Sequence, residues 1–324
     1  MSFAGLACCL TLLAYGAVVT AGSPLVLPFL RPAARTFDPG TRARRLLALR
    51  LLPSAFALFV AGGLVLPAFV WLEPRTTDER VGPWLLLAAG LSGAVLVAGI
   101  ARGAAAVLAT RRLVRRWSHS ARPIRLAGVT LPAFAIDERF PIVTLTGCVQ
   151  PRLFVSRTVL ARCTSAEFAA IVAHESGHLW RRDPWSRLLL RACPDILALT
   201  PLGAELEQRW AEAAEQAADD HAAAEGTARS LDLASALLEV ARLAGAARPR
   251  WLPMIALYRG GGVAQRAARL LEQRDPPTVV PRRRPGVLAA IALAAGVLFV
   301  PVAAELYILH ALHRMLEALV LLLA

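Results

Sequence analysis

The chain contains no lysine: all 36 of its basic residues are arginine. It is also short of acid, with 23 Asp and Glu, which leaves a net charge of +13. Cysteine is scarce, with five residues and no CxxC pair. That excludes a disulfide-stapled scaffold and a Cys-rich metal site. Cys8 and Cys9 lie in an apolar run and read as small apolar residues. A positive excess of this size is common in nucleic-acid binders, but its distribution argues against that partner. Arg31, Arg35, Arg42, Arg44, Arg45 and Arg50 surround one loop against a single acid, Asp38. Arg111, Arg112, Arg115, Arg116, Arg122 and Arg125 form a second cluster with no acid among them, and Arg282, Arg283 and Arg284 a third. Each cluster borders a long apolar run, so no nucleic acid is expected.

What the chain has in excess is uncharged length. Hydrophobic residues make up 56% of it, above the 45–50% usual for soluble domains. No charge interrupts 2–30, 51–72, 81–101 or 287–304. About 20 apolar residues cross the hydrocarbon core as a helix, so each run is an expected span. The first run has no basic start and no cleavage site followed by a polar segment, unlike a signal peptide. The loop 73–83 carries two Arg against three acids, whereas the flanking loops are rich in Arg. Basic loops stay in the cytoplasm. This sets 73–83 outside and 111–286 inside, and assigns the Arg clusters to topology and lipid headgroups. Arg102 is expected to snorkel from the end of the third span. The expected architecture is a mostly α membrane protein: three transmembrane helices in 1–110 (about 3–30, 46–72 and 84–109), an α+β domain at 111–286, and a fourth span with a short apolar tail at 287–324. The setting implied is the inner (plasma) membrane of a bacterium.

The segment between the third and fourth runs is long enough for its own core. Gly and Pro punctuate four short strand patterns, 124–127, 133–136, 142–145 and 153–156. Helices follow. Thr164 and Glu167 have the spacing of a capping box, predicting a helix over 165–182. Asp183-Pro184 and Thr200-Pro201 each read as a cap followed by Pro in the first turn. The second predicts a helix over 201–224, ended by Gly226. Pro194 is expected to kink the apolar helix between them, which would lie on the membrane surface or on the spans.

From position 174 the chain reads His-Glu-Ser-Gly-His. On a helix His174 and His178 share a face, so both imidazoles can hold one zinc ion. Glu175 then stands beside the attacking water as general base. A catalytic zinc needs a third protein ligand, and the next helix offers Glu212, Glu215, Asp219, Asp220 and His221. Glu215 is the natural ligand, with Asp219 one turn on to fix a ligand imidazole. Spacing alone barely separates Glu215 from Glu212. His221 is a candidate oxyanion stabiliser, although its spacing turns it off the metal face. The strand 153–156 is a candidate edge for an extended substrate.

The run from Gly147 to Ala223 resembles the BlaR/MecR-type membrane zinc peptidases, the family of the beta-lactam sensors of Gram-positive bacteria. The pieces that carry the likeness are Gly147 with Pro151-Arg152-Leu153-Phe154-Val155-Ser156, then Glu167 to His178, then Arg181-Arg182-Asp183-Pro184, then Glu215-Gln216-Ala217-Ala218-Asp219. The resemblance implies a gluzincin-like zinc domain in the cytoplasm, one Zn2+ per chain, and Glu215 as third ligand. It implies an endopeptidase cutting a cytoplasmic or membrane-proximal protein, such as a transcriptional repressor or the chain itself, in regulated proteolysis. Quality control of membrane proteins, as in the HtpX type, is the alternative enzyme; a signalling scaffold with a structural zinc is the non-enzymatic one. The family's sensors carry a penicillin-binding domain after the fourth span. Here His310 to Ala324 follow it, so direct beta-lactam sensing is not expected and any signal would come through the spans or a sensor partner. Any self-cleavage is expected to fall in the Gly- and Pro-rich window 260–286.

Overall fold

A computed structural model describes residues 2–24, 38–73, 82–126, 131–138, 140–244, 262–272 and 314–315. The expected fourth span and the self-cleavage window beyond residue 272 lie outside these. Three described helices are long and apolar enough to cross a membrane. The first is α1, Phe3–Gly22. The second runs through α2 (Pro39–Phe59), a π-helical stretch (Val60–Val65) and α3 (Leu66–Leu72). The third is α4, Pro83–Ser120.

Two of these helices extend beyond the lengths expected of them. The second starts at Pro39, where the Asp38 carboxylate accepts from the Thr41 backbone N–H at 2.8 Å and Pro takes the first turn. The third has 38 residues, about 57 Å of helix, roughly twice what the hydrocarbon core needs. Its far end belongs to the domain. Leu113 and Trp117 pack on Ile136, Ile142 and Phe154 of the sheet region, so the helix runs straight through the boundary expected at 110.

The sheet follows α4: β1 (Arg122–Ile124), β2 (Ala133–Ile136), β3 (Val143–Thr146) and β4 (Arg152–Ser156). Its order is β1-β2-β4-β3, with β2 and β4 parallel and the outer pairs antiparallel. The expectation that 153–156 offers a free edge is corrected. β4 bonds to a strand on each side, and among the described residues β1 and β3 are the edge strands. The β3–β4 turn uses Gly147 at φ 99, where a Cβ would stand 2.5 Å from the Gln150 carbonyl oxygen.

Among the described residues six α-helices follow the sheet: α5 (Arg157–Arg162), α6 (Ser165–Arg181), α7 (Asp183–Ala192), α8 (Pro201–Ala223), α9 (Thr227–Ala244) and α10 (Val263–Glu272). One core joins β4, α6, α9 and α10 through Val155, Ile171, Leu233, Leu237 and Leu270. A second packs Ala43 and Leu46 of α2 against Leu206, Trp210 and Ala214 of α8. The spans therefore share a core with the domain.

Pro194 does more than kink a helix. α7 stops at Ala192, and a 3-10 turn, Ile196–Leu199, follows. A residue before proline is pushed out of the α region, and Cys193 sits at ψ 115. The spans take up the polar groups this break frees. Arg102 of α4 donates to the Cys193 carbonyl at 2.9 Å, and the Tyr15 hydroxyl of α1 donates to the Pro194 carbonyl. Arg50 of α2 pairs with Asp195, both side chains fully buried. Asp195 in turn caps the 3-10 turn at the Ala198 N–H, 2.8 Å away. On α4, a Cβ at Gly99 would stand 2.7 Å from Pro194 Cα, and one at Gly103 2.8 Å from Ala192 Cβ. The apolar stretch expected on the membrane surface or the spans is held by all three described spans.

Candidate active site

The capping box at Thr164 and Glu167 starts α6 with both of its bonds present. Ten residues on, α6 buries His174, Glu175 and His178. Arg182 then adopts the left-handed conformation at φ 58, ending α6 and leading directly into α7. This turn brings Asp183 to His178, with its carboxylate 2.8 Å from Nδ1. The close approach of α8 depends on Gly177. A Cβ there would lie 3.0 Å from His221 Cβ and 3.2 Å from Ala218 Cα.

That approach places Glu215 opposite both imidazoles. Its Oε2 is 3.6 Å from His174 Nε2, and its Oε1 is 3.6 Å from His178 Nε2. One ligand atom from each of the three residues lies within 4.8 Å of the others. Tetrahedral ligands on bonds of about 2.0–2.2 Å stand about 3.3–3.6 Å apart, so these donors fit zinc. The chemistry fits as well. His174 Nε2 and Glu215 Oε2 are buried without a hydrogen-bond partner, and four carboxylates (Glu175, Asp183, Glu215, Asp219) crowd the position. Asp219 Oδ1 is 3.0 Å from His174 Nδ1, although not aligned as a hydrogen bond. Both imidazoles thus present Nε2 to the metal position and Nδ1 to a carboxylate. Glu212 is exposed and bonded to Gln208; it takes no part.

The charges respond to this crowding. Burial alone would lower the His178 pKa, but Glu215 and Asp183 override it and raise it to about 10. His174 is raised in the same way, against burial, by Asp219 and Glu215. Burial lifts Glu175, partly offset by the two His. A base that holds a proton more readily than an ordinary carboxylate suits its expected task. Glu175 is also oriented, accepting from the Leu145 backbone N–H of β3 at 3.0 Å. Glu215 stays well below the carboxylate range despite burial, because His178 and Arg266 favour its charge.

Sequence reasoning missed three of these partners. Asp183 reads as a helix cap and as part of the Arg181-Arg182-Asp183-Pro184 block, not as a partner for His178, and Arg187 and Arg266 carry no site signal in the sequence. Arg187 donates to Glu215 Oε1 at 3.2 Å. Arg266 of α10 grips Asp219 through two bonds of 2.8 and 2.6 Å and lies 3.0 Å from Glu215 Oε2. Nothing in the spacing marks a residue 47 positions away. The expected oxyanion candidate, His221, is elsewhere. It stacks on Trp180 with ring centroids 6.0 Å apart, beside Gly177, and does not line the cleft.

The cleft has a volume of about 1070 Å³ and is lined by Glu175, His178 and Glu215, by β3 and its turn, by α7, and by the C-terminal half of α4. Such a site can bind a metal and activate water, and the comparison with known families bears on what it does with them. Residues 145–251 match Peptidase family M48. This family consists of zinc metallopeptidases, so the match supports a metallopeptidase. The M48-like segment covers about a third of the chain. It contains His174, Glu175, His178, Glu215 and Asp219 and leaves out the spans and Arg266. No curated protein and no solved structure matches the chain.

Proposed function

We infer that the chain is a membrane-embedded zinc endopeptidase whose M48-like domain faces the cytoplasm and cuts a cytoplasmic or membrane-proximal protein. The observation that carries this reading is the shared cleft: Glu175, His178 and Glu215, with the fully buried His174 completing the donor set, face the same cavity as the C-terminal half of α4 and the end of β3. His174, His178 and Glu215 hold the metal. Bound zinc supplies an acidified water at neutral pH and polarises a carbonyl. Asp183 and Asp219 fix the imidazoles by their Nδ1 atoms. Glu175 takes the proton of the attacking water and returns it to the leaving amine. An extended substrate adds as a strand to β3, which among the described residues pairs with β4 alone and whose Leu145 N–H is held by Glu175.

The finer assignment follows the motifs. The blocks around Pro151, His174, Asp183 and Glu215 favour a BlaR/MecR-type peptidase acting in regulated proteolysis. The position of the cleft beside α4 favours membrane-protein quality control as the second reading, since segments emerging from the bilayer reach it first. Substrate trapping with Glu175→Gln in native membranes separates them. Capture of one DNA-binding repressor supports the first, and capture of many membrane proteins the second. A protein that binds no zinc and traps nothing refutes both.

A further inference from the structure

Away from the metal position, the charge on the cleft wall is of one sign. The lining carboxylates are all committed. Glu175 accepts from Leu145, Asp183 holds His178, and Glu215 faces two imidazoles. Three lining arginines are committed too: Arg102 to the Cys193 carbonyl, Arg187 to Glu215, and Arg191 to Glu207 at 3.8 Å. Arg111, Arg115 and Arg152 line the same cavity, and no ion pair to them occurs among the described residues. Arg111 and Arg115 are one turn apart on α4 and share a face. Arg152 opens β4, in register with Thr146 at the end of β3. The rest of the lining is uncharged and includes Ala105, Ala106 and Ala109 of α4, Leu145 of β3 and Leu188 of α7.

Resting on the peptidase reading above, we propose that this cleft selects extended substrate segments with Asp or Glu within a few residues of the scissile bond, read by Arg111, Arg115 and Arg152. Arg152 stands opposite the end of β3, and Arg111 and Arg115 line the cavity that Leu145 and Thr146 of β3 also line. Like charges gathered without a counter-ion repel one another and favour an anionic partner. A peptide fits better than a lipid headgroup because Arg152 belongs to a strand of the domain rather than to a span. Arg112 and Arg116, beside them on α4, do not line the cleft. The proposal also bears on self-cleavage. Segment 273–286 brings Arg274, Arg282, Arg283 and Arg284 against one acid, Asp275, so its charge opposes the cleft and a different, acidic chain is the target.

The test uses full-length zinc-loaded Glu175→Gln protein in nanodiscs of zwitterionic lipid. It is titrated with fluorescent peptides that share one apolar centre and carry Glu, Gln or Arg flanks. The Glu-flanked peptide should bind about tenfold more tightly than the Gln-flanked one, with the Arg-flanked one weakest. The difference should shrink in 1 M salt, where charges are screened beyond about 3 Å. Adding Arg152→Glu, or Arg111→Glu with Arg115→Glu, should reverse the order in protein that still holds zinc; misfolding cannot produce a reversal. Equal binding of the three peptides, or an unchanged order in the reversed variants, overturns the proposal and leaves the peptidase reading standing. If no peptide binds and the wild type cuts no protein, the peptidase reading fails and takes the proposal with it. Loss of the preference when anionic phosphatidylglycerol is added assigns the arginines to headgroups and overturns it as well.

Discussion

Removing the Asp195 carboxylate should destabilise the whole protein, although the residue lies outside the metal site. Arg50 and Asp195 are fully buried side chains, and Arg50 Nε and Nη2 already lack hydrogen-bond partners. Asp195→Ala strands the guanidinium without its counter-charge, a loss of about 3–5 kcal/mol for a buried pair. It also removes the cap on Ala198, worth about 1 kcal/mol more. Asp195→Asn keeps an acceptor for that cap and should be the milder of the two by about that cap energy. Replacing both partners, Arg50→Met with Asp195→Asn, removes the unpaired charge and should recover most of the loss. Equilibrium unfolding in mixed micelles measures these values, with Glu175→Gln in every variant to suppress proteolysis. Because the pair holds the link between α7, which carries Arg187, and α8, which carries Glu215, the single variants should also lose zinc more readily. A cost below about 1 kcal/mol for Asp195→Ala is what an exposed pair gives, and would refute the burial argument. So would a double variant no more stable than Asp195→Ala.

Zinc content should be near one per chain. It should fall sharply for His174→Ala, His178→Ala or Glu215→Ala and stay unchanged for Glu212→Ala, as read by metal analysis after dialysis; the opposite ranking of the two Glu would overturn the third ligand. Asp183→Asn and Asp219→Asn should each weaken zinc binding about 10- to 100-fold, measured by competition with a chelator. Arg266→Leu should weaken it by leaving Asp219 and Glu215 uncompensated, with Arg266→Lys in between. For the metal-free protein the sign of the pH dependence follows from His178. Its folded pKa, about 10, lies above the ordinary value near 6.5. The stabilisation is therefore complete below about pH 6.5 and is lost as pH rises to about 10; zinc affinity should rise over the same window as the proton is displaced. Cys introduced at 74–82 should label from outside intact cells and Cys at 226–232 should not; labelling of the latter would invert the topology.

Much of the site was legible because it is local. His174, Glu175 and His178 lie within five residues of one helix, whose period alone puts the two imidazoles on a common face. The capping box, the Pro breaks and the three described spans also follow from neighbouring residues and uninterrupted apolar length. Glu215 was less secure, since an Ala-rich helix offers several acids and spacing does not say which one faces inward.

Long-range packing decided the rest. Gly177 lets α8 close on α6, and that approach separates a buried Glu215 from an exposed Glu212 and turns His221 onto Trp180. Arg266 reaches Asp219 from a helix with no sequence relation to it. Among the described residues β3 is an edge strand and β4 is not, because strand order depends on which strands pair, not on how each one reads. The sequence by itself determined the candidate metal chemistry of α6 and the three described stretches long and apolar enough to cross a bilayer, since both depend on residues within a few turns of each other. Only the tertiary structure decided which charges surround that chemistry and that the spans grip the Cys193–Asp195 link, because buried charges and freed carbonyls find partners wherever the fold brings them within hydrogen-bond reach.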